Sequence, residues 1–288
     1  MMHSEYSSRI TDYREYDSAT SEGESMHGPA VASLFIGRTC GVAPGAELIY
    51  KAVPSGRNFN FQAYALFDII EQNKSLPLKD KIRIVSCSIG YMEERPEPGL
   101  ERWIKAIKTA ESEGIIVSDV GDRTGVDYIG GGTCGDKNDV DSYDIALFMT
   151  EDKDEELKRL ISERDIDGLL RKTRKIKGKQ VEHISDINLK KMIEKSLDEK
   201  RNEIIIPSDY RTMASNTGPE DYMYNGKGGM SWSVPYISGL FALALQINPN
   251  LRKEVLAEAV NKTVILNKKG LRVINPRGFI EAIRREEK

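Results

Sequence analysis

Cysteine and histidine are scarce: three of each, Cys40, Cys87 and Cys134, and His3, His27 and His183, in 288 residues. Three thiols cannot all pair with one another, so a disulfide framework is not expected. Their wide spacing does not match a zinc site, and buried or half-buried thiols are expected instead. No apolar run reaches the length that crosses a bilayer. The longest, over 236–247, reads as a buried helix. Basic residues are not in surplus: 42 Lys and Arg stand against 45 Asp and Glu, a net charge of −3. Nothing there points to nucleic acid, and no acidic tail is present. The opening Met1-Met2-His3-Ser4-Glu5-Tyr6 lacks the basic and apolar regions of a signal peptide, which favours the cytoplasm. A true start further upstream would leave secretion open. What is present is 39% hydrophobic and 30% charged, the balance of an ordered globular chain with an ample core.

Strand and helix patterns alternate along the first half. Residues 9–16 read as a strand, and 17–25 as an acidic loop. The segment 28–37 is small and apolar at helical spacing, so His27 stands at a helix start. Gly41-Val42-Ala43-Pro44-Gly45 is a turn. A strand over 47–53, a helix over 61–72 and a buried strand over 82–89 follow. Leu100, Trp103, Ile104 and Ile107 share one face of a helix over 100–113. A strand over 114–120 ends in Gly121-Asp122. Residues 204–228 return to strand and turn character, and 251–265 and 275–284 read as closing helices.

This alternation predicts an α/β fold of three layers, a mostly parallel sheet flanked by helices. In such sheets functional groups gather at the carboxyl ends of the strands, where His27, Ser88 to Gly90 and Asp122 all fall. Residues 151–203 differ. They are dominated by charge, with Leu157, Leu160, Ile161, Leu189, Met192, Ile193 and Leu197 at helical intervals. The segment reads as an inserted helical subdomain or flap within one domain spanning 1–288; a solvated charged excursion is the alternative.

Gly229-Met230-Ser231-Trp232-Ser233-Val234-Pro235 carries the chemistry. Ser231 stands between a glycine-rich approach (Gly226, Gly228, Gly229) and an apolar helix predicted to start at or just after it. A helix N-terminus offers unpaired N–H groups and positive potential, which suits a nucleophile whose reaction develops an oxyanion. A serine hydroxyl needs an adjacent base, and His27 is the candidate.

At these residues the chain resembles the subtilisin-like serine proteases, the subtilases. His27-Gly28-Pro29-Ala30-Val31-Ala32 is similar to the family's His-Gly-Thr-x-Val-Ala, with Pro29 for threonine. Gly41 to Ala46 matches the segment that follows it. Ser86-Cys87-Ser88-Ile89-Gly90 resembles the substrate-binding strand, and the stretch from Gly114 to Asp122 resembles the strand that leads to the oxyanion residue. Gly229 to Pro235 resembles Gly-Thr-Ser-Met-Ala-x-Pro, with Met230 for threonine and Trp232 for methionine. The resemblance covers roughly 9–150 and 204–285 and implies an endopeptidase. Ser231 would attack the peptide carbonyl, and His27 would shuttle the proton. Asp122 and the Ser231 N–H would line the oxyanion hole, and Ser88, Ile89 and Gly90 would bind substrate as an added strand. The implied partner is a peptide or protein substrate, with no nucleic acid, no membrane and no organic cofactor. Subtilases often hold structural calcium, but no calcium loop is legible here.

Two departures stand out. The family order is Asp, His, Ser, with the aspartate about thirty residues before the histidine. Only 26 residues precede His27, and neither Asp12 nor Asp17 is followed by glycine. The family's first strand is therefore absent from this sequence, and the resemblance implies either an N-terminally truncated subtilisin-like catalytic domain or a degenerate member of the family. Asp122 also replaces an asparagine, and an ionised carboxylate accepts where the oxyanion needs a donor. A pseudoprotease that binds peptides or regulates is accordingly the rival reading. A generic α/β hydrolase is excluded by order, since Ser231 lacks a Gly-x-Ser-x-Gly frame and no histidine follows His183.

Overall fold

The computed structural model describes residues 2–16, 25–54, 58–90, 97–120, 124–133, 135–139, 155–178, 181–198, 203–226, 228–268 and 270–286. Asp17, Asp122 and Cys134 lie outside them, as does part of the 151–203 segment.

Strand β1 (Ile10–Glu15) precedes helix α1 (His27–Ile36), and β2 (Leu48–Ala52) returns parallel to β1. Helix α2 (Phe59–Ser75) leads to β3 (Ile84–Cys87). Its start is fixed by Asn58, whose side chain accepts from the Asn60 N–H at 3.2 Å, an N-cap. After α3 (Leu100–Ser112), β4 (Ile116–Asp119) pairs parallel with β3. Side chains alternate across this pair: Ile84 and Ile116 join the core cluster of helix α7 (Met230–Ile247), while Val85 and Val117 join that of α2 and α3. Helices therefore cover both faces here, the environment that demands apolar residues on both sides of a strand.

The expected single sheet is broken into pieces. Strand β5 (Tyr128–Gly130) pairs parallel with β6 (Ile204–Ile206), which β10 (Arg272–Val273) joins, with β9 (Ile265–Leu266) antiparallel at the edge. Strands β7 (Arg211–Ala214) and β8 (Tyr222–Asn225) form a separate antiparallel hairpin. These strands are only two to six residues long, so few ladder bonds hold each pair. Helix α7 unites the pieces by packing on β3, β4, β5 and β6. It runs for 18 residues and is long and apolar enough to cross a membrane, so the expectation that length ruled this out is corrected. Two-thirds of it is buried against the sheet pieces and helices α8 (Lys253–Thr263) and α9 (Pro276–Glu286).

Helices α4 (Glu155–Glu163), α5 (Ile166–Lys177) and α6 (Asp186–Asp198) pack on one another around Leu157, Leu160, Leu169, Leu170, Val181, Leu189 and Ile193. Asp165 caps α5 by accepting from the Gly168 N–H at 2.9 Å. Met192 is exposed.

The N-terminal segment is tied down through one buried carboxylate. Glu5 accepts from the Thr39 N–H (2.8 Å), the Thr39 hydroxyl (2.6 Å), the Tyr222 hydroxyl (2.5 Å) and the Cys40 thiol (3.6 Å). Burial works to raise its pKa, but these four donors together hold it down at about 2. A depressed carboxylate pKa contributes stability above the unfolded value, and that contribution is lost as pH falls through the folded one. The urea midpoint of the wild-type protein should therefore fall as pH drops from about 4.5 towards 2, and Glu5→Gln should flatten that part of the profile. At neutral pH Glu5→Ala should cost about 2–3 kcal/mol, the loss of several bonds to a buried charge. An unchanged midpoint in Glu5→Ala would refute the latch.

Candidate active site

Helix α7 begins at Met230, so Ser231 is its second residue rather than its cap. The cap, Gly229, has φ −161° and ψ −177°, an extended conformation open to any residue. Gly226 and Gly229 have open space where a Cβ would be. The glycine requirement expected of the whole approach narrows to Gly228, whose Cβ would lie 1.9 Å from the Ser208 carbonyl oxygen. The Gly228 N–H donates to Asp209 Oδ1 at 2.7 Å, and the Gly132 N–H donates to Oδ2 at 3.1 Å. Asp209 thus ties the approach to the loop after β5. Sequence reasoning passed over it, although Pro207-Ser208-Asp209 ahead of the glycines was its signal.

Pro235 lies inside α7, four residues after Ser231. It has no N–H, so the Ser231 carbonyl loses its helical donor. The buried Ser88 hydroxyl supplies one, donating to that oxygen at 2.9 Å. In return the Ser231 hydroxyl, half-buried, donates to the Ser88 carbonyl at 3.4 Å, a weak bond. Ser88 and Ser231, 143 positions apart, are brought together in this way. Ile89 is half-buried and Gly90 exposed beyond them. Ser88→Ala would strand a half-buried carbonyl and should cost about 1–2 kcal/mol, read as a lower urea midpoint. Replacing Pro235 with alanine in that background should return part of the loss by restoring the N–H. No recovery would mean that the vacancy is not what Ser88 fills.

His27 opens α1. Its backbone N–H donates to the Ser25 hydroxyl at 3.3 Å. Pro29 is tolerated as the third residue of α1, because N–H groups of a first turn have no helical acceptor. The imidazole lies against the ring of Trp232, with centroids 5.6 Å apart and planes at 32°. The residue after Ser231 thus carries His27 to the first turn of α7. Burial lowers the His27 pKa below its ordinary value, so the ring is neutral at pH 7, the form a base needs. Among the described residues no hydrogen bond joins the imidazole to Ser231 or to a carboxylate.

Asp12 is committed elsewhere. Its carboxylate accepts from Lys51 Nζ at 2.6 Å, and Lys51 also contacts Asp68 at 3.0 Å. Beside the site, Asp119 is fully buried at the end of β4, paired in register with Cys87. Burial, and then the charge of Asp119, push the Cys87 thiol up to about 12, which leaves it inert at neutral pH.

No protein-family model matches the chain, and no curated protein matches its sequence. Solved structures do share its fold. The prenylagaramide maturation protease PagA matches at 14% identity over 94% of this chain and 86% of that one, with a TM-score of 0.52. A structure of the subtilase cytotoxin SubAB assembly matches at 15% identity, 97% and 85% coverage, and a TM-score of 0.53. The A-subunit of the AB5 toxin from E. coli matches at 14% identity, 96% and 87% coverage, and a TM-score of 0.53. At these identities the likeness is one of fold: a mixed α/β chain with small parallel sheets, compatible with a subtilase-like architecture.

Proposed function

We propose that this chain is a subtilisin-like serine hydrolase of peptide bonds. The observation that supports it is convergence. Ser231, Ser88 and, through Trp232, His27 meet at the first turn of α7, on a fold shared with proteases. In this reading Ser231 Oγ attacks the carbonyl carbon, and His27 accepts its proton and returns it to the leaving amine. The Ser231 N–H, among the helical N–H groups without an acceptor, donates to the oxyanion. Asp122 is the second oxyanion group. Residues Ser88, Ile89 and Gly90 hold the substrate backbone as an added strand. Acyl transfer to a hydroxyl calls for no organic cofactor, and the partner is a peptide or protein substrate. The charged 151–203 segment is a peripheral insertion.

The second reading, a peptide-binding pseudoprotease, is favoured by one contact: the Ser231 hydroxyl donates to the Ser88 carbonyl rather than to His27. A fluorophosphonate probe separates the two. The hydrolase reading expects covalent labelling of the wild-type chain at Ser231, loss of labelling in Ser231→Ala, and at least a hundredfold slower labelling in His27→Ala. No labelling, with peptide binding retained, would establish the pseudoprotease instead.

A further inference from the structure

We propose that Asp209 is a positioning residue for Ser231 and His27: its carboxylate fixes the chain entering α7 and, through Trp232, the place of the imidazole. Its effect on the reaction rests on the hydrolase reading; its effect on the geometry does not.

The first observation is how α7 begins. A helix start is ordinarily fixed by an N-cap side chain that accepts from the first turn. Here the cap is Gly229, and among the described residues no cap side chain bonds that turn. The placement of the turn that carries Ser231 and Trp232 is therefore set from outside the helix. Asp209 supplies the hold one residue before the cap. Its Oδ1 accepts from the Gly228 N–H at 2.7 Å. Its Oδ2 accepts from the Gly132 N–H at 3.1 Å, and its own N–H donates to the Gly132 carbonyl at 2.9 Å. A parallel bridge also joins Asp209 to Thr133. Asp209 is thus anchored on the loop after β5 and reaches from there to the approach.

The second observation is strain. Tyr210 has φ +53°, a left-handed conformation that is costly for a bulky side chain. Its N–H donates to the Gly226 carbonyl at 3.2 Å. The bend at 209–210 turns the Asp209 carboxylate and the Tyr210 N–H onto the same glycine approach.

The third observation is where the hold leads. A Cβ at Gly228 would lie 2.6 Å from Trp232 Cδ1, so the indole edge rests on that glycine. The same indole lies on the His27 ring, with centroids 5.6 Å apart, and packs with Ala30 and Leu34 of α1. Contacts therefore run unbroken from Asp209 to Gly228, Trp232 and His27. The grip itself calls for a carboxylate. Two N–H groups approach two different oxygens, and a carboxylate accepts at both. Asparagine has the same shape but one oxygen and one NH2, so one of the two N–H groups would face a donor.

The test uses the full chain with carbon-13 histidine and reads the ring Cε1–H resonance of His27, assigned by its loss in His27→Ala. Trp232→Leu marks where that resonance lies without the indole. In Asp209→Asn the resonance should move most of the way to the Trp232→Leu position. Fluorophosphonate labelling of Ser231 should slow about tenfold to a hundredfold, the scale of a misplaced reacting group. Asp209→Ser, smaller and equally unable to hold both N–H groups, is read in the same way. Glu5→Gln is the control: it weakens the fold through another carboxylate and should leave both the resonance and the labelling rate unchanged. A His27 resonance unmoved in either folded Asp209 variant would overturn the proposal, whatever the urea midpoint does, because Asp209 would then only staple two loops together. Labelling at the wild-type rate in either would overturn it as well. A displaced resonance in a chain that the probe never labels, wild type included, would support the positioning role and sink the hydrolase reading instead.

Discussion

Peptide hydrolysis by this chain will run about ten-thousandfold below a complete Ser-His-Asp enzyme, and Ser231→Ala will abolish what remains. The reason lies at His27. In a working triad a carboxylate fixes the imidazole tautomer and stabilises the imidazolium that forms as serine attacks. Among the described residues none is bonded to the His27 ring, and burial alone acts on it, favouring the neutral form. Burial then opposes the very protonation that the transition state requires. Asp122 adds a separate deficit of about a hundredfold to a thousandfold if it is ionised where a donor is needed; the two losses need not add. Supplying an upstream strand that carries Asp-Thr-Gly should thus recover more turnover than Asp122→Asn alone. The measurement is turnover on casein and a short amide panel, comparing the chain, Asp122→Asn and the extended form, each beside its Ser231→Ala control. Family-like turnover by the chain itself, abolished by Ser231→Ala, would sink this account. Asp12 would then have to leave Lys51, or Asp17 would have to complete the triad.

The elements that proved legible in the sequence are those whose signal is local. The helix at His27 and the long apolar helix at Ser231 announce themselves by spacing and by glycine punctuation, and the structure begins them at His27 and Met230. The strands over 9–16, 82–89 and 114–120 were likewise visible, though each forms only over its central residues. The breaks in the sheet were not visible. Pairing joins strands far apart in sequence, and nothing in Leu48–Ala52 or Ile84–Cys87 states what lies beside them. The site divides in the same way. Strand ends suggested one edge for His27, Ser88 to Gly90 and Asp122, and motif order alone joined Ser231 to His27. It could not show that Ser88 answers a carbonyl stripped of its donor by Pro235, although that proline is plain four residues on. Nor could it show that Trp232 would face the imidazole, or that Asp12 would be held by Lys51.

Gly228→Val should be the most damaging single substitution at the approach to Ser231, while Gly229→Ala should be mild. The reasoning is steric and local. A Cβ at 228 would meet the Ser208 carbonyl oxygen at 1.9 Å, its carbon at 2.6 Å and Trp232 Cδ1 at 2.6 Å. Two of these three atoms are backbone and cannot rotate away. The third belongs to the ring that lies on His27, so relief in that direction disturbs the base. The Gly228 N–H would also be pulled from Asp209, which holds Gly132 as well. Overpacking of a closed site costs about 1–3 kcal/mol, and a backbone obstacle puts this one at the upper end or beyond. At 229 a Cβ has open space and an ordinary extended backbone, so alanine there should cost less than about 1 kcal/mol. Urea unfolding of both variants measures the difference, and fluorophosphonate labelling reads whether Ser231 and His27 stay in place. If Gly228→Val unfolded with the wild-type midpoint and labelled at the wild-type rate, the close approach of Ser208 would not be what that glycine is for.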